Sequence, residues 1–164
     1  MYGSIGCRKI LGLLSYLVMF KYNFFLFKDL PSAWLCGVRV RDLNGKKCII
    51  SVRHNWFNSN PFKSLYWAVQ GMASELATGL AIIDFANKSK LKISMLVISN
   101  ESKFLKKAKG LIRFECAQVN AVKKTLSSLS KNKTTDKIKL KSTGYDESGD
   151  VVSEFIYEWS FKLK

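Results

Sequence analysis

The chain has 164 residues, 48% of them hydrophobic and 13% aromatic, with a formal net charge of +15. That length suits one domain with a substantial core rather than two, and the apolar content excludes a disordered chain in spite of the charge. The four cysteines, Cys7, Cys36, Cys48 and Cys116, include no pair at metal-ligand spacing, and His54 is the single histidine. No metal site is therefore expected. A Ser-His-Asp or Cys-His catalytic pair would have to run through His54, which sits in a strand-like run with no motif around it. Free cysteines without a framework suit a reducing compartment, so a cytoplasmic protein is expected.

Taken in chain order, Arg8 and Lys9 precede the apolar run ILGLLSYLVMF (residues 10–20), which imitates a secretory signal. No small-x-small cleavage site follows; Lys21, Asn23 and the aromatic run YNFFLF come next, then the turn-like DLPS at 29–32. The run is shorter than the roughly twenty residues that cross a bilayer as a helix. Residues 4–27 are read as a helix packed on the domain, so that 1–33 form an N-terminal helical segment and 34–164 the domain proper. A peripheral membrane contact through 4–27 is the alternative.

After Pro31 the pattern alternates. Val38, Val40 and Leu43 are separated by charged residues, and Asn44-Gly45 is a strong hairpin signal before the returning strand KCIISVRHNWF. A loop at Asn58 to Pro61 leads into a long helix expected from about Ser64 to Phe85. Strands follow at 92–99, 110–119, 136–146 and 151–163, with a polar linker at 120–135 that carries a helical turn or two at AVKKTLSSL. This order predicts an α+β fold with a largely antiparallel sheet.

The long helix is apolar nearly all round. Leu65, Val69, Met72, Leu76, Leu80 and Ile83 keep to no single stripe, and Ala68, Gly71, Ala73, Ala77, Gly79 and Ala81 would let a wrapping sheet come close. Within it stands Glu75, with Gly71 one turn before, Gly79 one turn after, and no Lys or Arg within a turn. Two readings are open. Glu75 is either a desolvated carboxylate with a raised pKa, poised for acid-base or nucleophilic work, or it points to solvent on a narrow polar edge with Gln70, Ser74 and Thr78.

The stretch NPFKSLYWAVQGMASELATG, with Asn60 fifteen residues before Glu75, resembles the helix region of hotdog-fold acyl-CoA thioesterases of the phenylacetate-degradation type and their bacterial relatives. The resemblance extends outward through the preceding hairpin, through Ser102, Phe104, Leu105, Ala108 and Gly110, and through Asp146 and Gly149 to the last strand. It covers roughly residues 34–163. It implies a six-stranded antiparallel sheet wrapped around the long helix, with an extra N-terminal helix. It implies a thioesterase acting on an acyl-CoA or acyl carrier protein, coenzyme A entering only as part of the substrate. By the same resemblance, Glu75 would be general base or nucleophile and Asn60 would hold substrate or water. The Trp67 N–H would polarise the carbonyl, and Ser64, Tyr66, Trp67 and Ser94 would line the substrate. A homodimer or dimer of dimers, with acyl sites at the interface, is implied as well. Tyr66 and Trp67 stand where those thioesterases usually carry histidine and glycine, and Lys63 where a glycine often precedes. A noncatalytic acyl- or lipid-binding protein is therefore the alternative.

The positive charge is concentrated: residues 88–141 hold 15 basic and 3 acidic side chains. Lys103, Lys106 and Lys107 cluster beside Phe104 and Leu105 and are candidates for the phosphates of coenzyme A. A nucleic-acid-binding protein is the rival from another class. It is disfavoured because the aromatic residues are not interleaved with the basic ones as a stacking platform requires, and no nucleic-acid-binding signature is present.

Overall fold

The computed structural model describes the backbone of residues 4–130 and 133–164, and side chains from Tyr16 onward within those ranges. Cys7, Arg8, Lys9 and Lys131, named for the sequence or part of its basic stretch, lie outside the described side chains. Two helices, α1 (Ser4–Asp29) and α2 (Pro31–Leu35), precede the hairpin β1 (Arg39–Leu43) and β2 (Cys48–Arg53). The long helix α3 (Trp67–Lys88) follows, then β3 (Ile93–Phe104), β4 (Leu111–Cys116), the short α4 (Val119–Ser127), β5 (Thr135–Tyr145) and β6 (Val151–Leu163). The six strands form one sheet in the order β1-β2-β4-β5-β6-β3, every pairing antiparallel.

α3 packs against β2, β4, β5 and β6 with α4 beside it. Its Ala73, Leu76, Ala77, Leu80 and Ile82 are buried with Ile50, Ile112, Phe114, Leu140 and Phe161 of the sheet. The small residues serve the expected purpose at Gly79, where an added Cβ would lie 3.1 Å from the Trp159 ring. Only glycine lets the indole lie this close to the helix.

α1 is joined to the sheet edge by Asn23, whose carboxamide donates to the Val40 carbonyl and accepts from the Val40 N–H, both at 3.0 Å. One side chain thus fills the role of a neighbouring strand at the open edge of β1. Tyr22 and Leu26 are buried beside it, and the Tyr22 hydroxyl donates to Asp84 of α3 at 2.9 Å. Burial and the Asp84 carboxylate push the Tyr22 phenol well above its ordinary pKa.

Four expectations need correction in detail. DLPS is not a bare turn, because Pro31 opens α2 at the position where a missing N–H costs nothing. The long helix begins at Trp67 rather than Ser64, since Ser59 and Leu65 pair as a bridge and hold the intervening residues in a loop. β2 ends at Arg53 rather than Phe57. β3 continues to Phe104, five residues past the expected end, because a bulge between Val97 and Ser99 keeps it in register with β6.

Candidate active site

The loop before α3 is built by its asparagines. Asn58 is buried and donates to the carbonyls of Cys36 and Arg53, both at 2.9 Å. Asn60 accepts from the N–H groups of Phe62 and Ser64 through Oδ1, at 3.0 and 3.2 Å, and its Nδ2 lies 3.1 Å from Ser64 Oγ. That is an Asx turn, and it is tight enough to hold Lys63 at a φ of 56°. The backbone then steps through Leu65 N–H to Ala108 O and Tyr66 N–H to Asn58 O before α3 starts. No side chain caps the helix at Tyr66. Among the described residues, the N–H groups of Trp67 and Ala68 have no acceptor and point along the helix axis, as expected of a first turn.

Gln70, Ser74 and Thr78 do not form a solvent edge. All three are buried, one turn apart, and each is bonded to β6. Gln70 Oε1 accepts from Ser153 at 2.8 Å, Ser74 and Tyr157 hydroxyls meet at 2.6 Å, and Thr78 Oγ1 accepts from the Trp159 indole at 3.0 Å. The helical repeat of four and the strand repeat of two bring the two columns together. The Tyr157 hydroxyl donates its one proton to Gly71 O at 3.1 Å, which makes Ser74 the donor between the two hydroxyls.

Glu75 lies on the next face of α3, half-buried. It opens into a groove of about 360 Å³ bounded by Trp67, Met72, Val97, Asn100, Ser102 and Tyr157. Among the described residues nothing hydrogen-bonds or ion-pairs with its carboxylate, and desolvation raises its pKa above the ordinary carboxyl value. The neighbouring Tyr157 phenol is pushed up to about 12, first by burial and secondarily by the Glu75 charge, against the lowering effect of the Ser74 hydrogen bond. A carboxylate held short of solvation, beside a phenol that keeps its proton, can take a proton from water or attack an electrophilic carbon.

Asn60 and Ser64 do not share that groove. They line a second cavity of about 370 Å³ with Leu65, Phe104, Leu105, Lys106 and Lys107, and Trp67 forms a wall of both. Trp67 is 57% exposed, and its ring meets that of Tyr66 edge-on at 6.0 Å. Ser94 falls on the other side of β3. Its neighbour Met95 faces Gly79 of α3, so alternation turns Ser94 away from the helix and from Glu75.

The three lysines do not converge either. Lys106 is held by Asp146 and Asp150, each at 2.7 Å, across the β5–β6 turn, and those bonds raise its pKa. Lys103 stands opposite Glu154, on the far face of β3 from Ser102. Lys107 borders the second cavity and, among the described residues, has no carboxylate partner. The residues that sequence reasoning missed are Asn100, Ser102 and Tyr157 as groove walls. The alternation of VVSEFIYEWSFKL places Phe155, Tyr157 and Trp159 on one face and was a usable signal for Tyr157; nothing in the sequence announced the bulge that turns Asn100 and Ser102 inward.

No protein-family model matches the chain, and no curated protein matches it. Solved structures do. A protein of unknown function from Chlorobaculum tepidum superposes with a TM-score of 0.78 at 14% identity, over 92% of this chain and 97% of that one. A probable thioesterase from Pseudomonas aeruginosa gives 0.74 at 18% identity, over 88% and 95%. A thioesterase from Haemophilus influenzae gives 0.65 at 11% identity, over 88% and 90%. At these identities the likeness is one of fold, and a single antiparallel six-stranded sheet packed on one long helix, shared along nearly the whole of each chain, gives this protein the hotdog fold.

Proposed function

We propose that this protein is a thioesterase that hydrolyses an acyl-CoA or acyl carrier protein thioester, with Glu75 as general base or nucleophile. The observation that carries the reading is a half-buried carboxylate, free of any cation among the described residues, at the middle of α3 in an open groove. Structures described as thioesterases share the fold. The unpartnered N–H of Trp67 would stabilise the developing oxyanion at the positive end of the helix dipole. Trp67 and Glu75 are eight residues apart, a rise of about 12 Å, which is too far for one thioester to touch both within one protomer. A homodimer, alone or paired again, would close that gap by setting the start of one α3 against the middle of the other. β3 favours such pairing, being a long strand at the sheet edge with one side open.

In this reading Asn60 acts from its turn, fixing Ser64 and the loop that aims Tyr66 and Trp67, and Lys107 is the lysine best placed to meet a coenzyme A phosphate. A noncatalytic acyl-binding protein is the second reading. It is favoured by Trp67, whose bulk stands at the helix start between the two cavities. Thiol release from a panel of acyl-CoA thioesters, measured for the pure protein and for Glu75→Gln, separates the two. Turnover by the first and its loss in the second supports hydrolysis. Equal rates would remove Glu75 from the mechanism, and a co-purified acyl ligand without turnover would favour the binding protein.

A further inference from the structure

α1 has one face more than the fold uses. Tyr22, Asn23 and Leu26 bind it to the sheet, while Tyr16, Leu17, Phe20, Phe24 and Phe27 are each between 54 and 64% exposed. At 100° per residue those five side chains fall within about 100° of arc and point away from the core. The stripe runs about 16 Å along the axis. Phe27 rests edge-on against Trp34 of α2, and Leu30 and Leu35 carry the exposed apolar surface past the helix end. Lys21 and Lys28, both exposed, lie two turns apart, about 10 Å along the axis, on the same border of the stripe, and Lys21 Nζ rests 5.3 Å from the centroid of the Tyr22 ring. A helix that is apolar on two opposite faces is normally covered on both.

We infer that this stripe docks α1, lying flat, on an anionic lipid bilayer, with the phenyl rings at the level of the headgroups and the two lysines against lipid phosphates. The charge decides between occupants. The protein carries a net charge of +15, which draws it toward an anionic surface, and Lys21 and Lys28 put part of that charge beside the stripe. A second copy packed antiparallel through the same stripe would instead set Lys21 and Lys28 of both chains along one border of the contact. Among the described residues no helix is long and apolar enough to cross a membrane. The contact is therefore interfacial, with rings and lysines arranged as in a surface-lying amphipathic helix. This inference is independent of the thioesterase reading, because none of its residues borders either cavity.

Cosedimentation of the full chain with vesicles tests it. Phosphatidylcholine vesicles containing phosphatidylglycerol are compared with phosphatidylcholine alone, for the parent protein, Phe20→Ser/Phe24→Ser and Lys21→Gln/Lys28→Gln. The parent is expected to bind the anionic vesicles, and less so as salt is raised. The double serine variant is expected to lose more than about tenfold in affinity through the apolar contact. The double glutamine variant is expected to lose about fivefold per lysine. All the altered side chains are exposed, and unchanged thermal unfolding confirms that each variant folds. Three results would overturn the proposal: no binding by the parent, equal binding by the serine variant, or a fall in solution mass of the lipid-free serine variant, which would show that the stripe joins two copies.

Discussion

Two adjacent faces of α3 put polar groups in the same apolar surroundings and treat them in opposite ways. On one, Gln70, Ser74 and Thr78 each find a partner on β6. On the other, Glu75 finds none among the described residues. A buried polar group left without a partner costs about 1–3 kcal/mol, so the first face is a fastening that holds the helix in one register on the sheet. The second keeps a carboxylate incompletely solvated, an arrangement that weakens the fold and that the proposed chemistry would explain.

The largest test of that contrast is Glu75→Gln. On the general-base reading, thioester hydrolysis falls by about 10²–10⁴-fold in a thiol-release assay. Stability moves the other way. Because the folded pKa is raised, the folded protein holds the extra proton between the unfolded and folded values, and stability falls as pH rises through that window. Above it the carboxylate is a net loss to the fold, so the glutamine variant is expected to melt higher than the parent at neutral pH. The parent's activity should climb with pH through the same raised pKa. A lower melting point for the variant would mean that Glu75 is another fastening.

Next in size is Thr78→Val, which keeps the shape and strands the Trp159 N–H in the core. Chemical denaturation should show a loss of about 1–3 kcal/mol with catalysis unchanged per folded molecule. Ser74→Ala should cost less, about 1 kcal/mol, because the Tyr157 hydroxyl retains the Gly71 carbonyl. If either variant lost turnover without losing stability, the division between the two faces would fail.

Much of this was legible in the chain. β6 has the bounds that its alternation predicts, residues 151–163, since every inward residue from Phe155 to Phe161 is large and aromatic. The Asn-Gly hairpin and the helical order were legible for the same local reasons. The partners of Gln70, Ser74 and Thr78 were not. Periodicity shows that three polar residues share a face, but only the sheet, more than seventy residues further on, reveals that the face is interior. The spacing of Asn60 and Glu75 does not by itself bring the two together within one protomer. Fifteen residues of separation is a constant of the chain, whereas the Asx turn closes Asn60 on Ser64 in a cavity of its own.

The bulge in β3 sets where this strand tolerates a change of length. Val97 and Trp159 both face the helix, and one residue too many then intervenes before Asn100 and Ser102 take the inward places opposite Tyr157 and Phe155. Deleting Ile98 would merely straighten the strand and leave its interior lining as it is. Deleting Glu101 would invert the remainder of the strand: Lys103 would swing inside and Ser102 out, turning a neutral wall cationic. A library of single-codon deletions, sorted for soluble expression, should keep the first and discard the second.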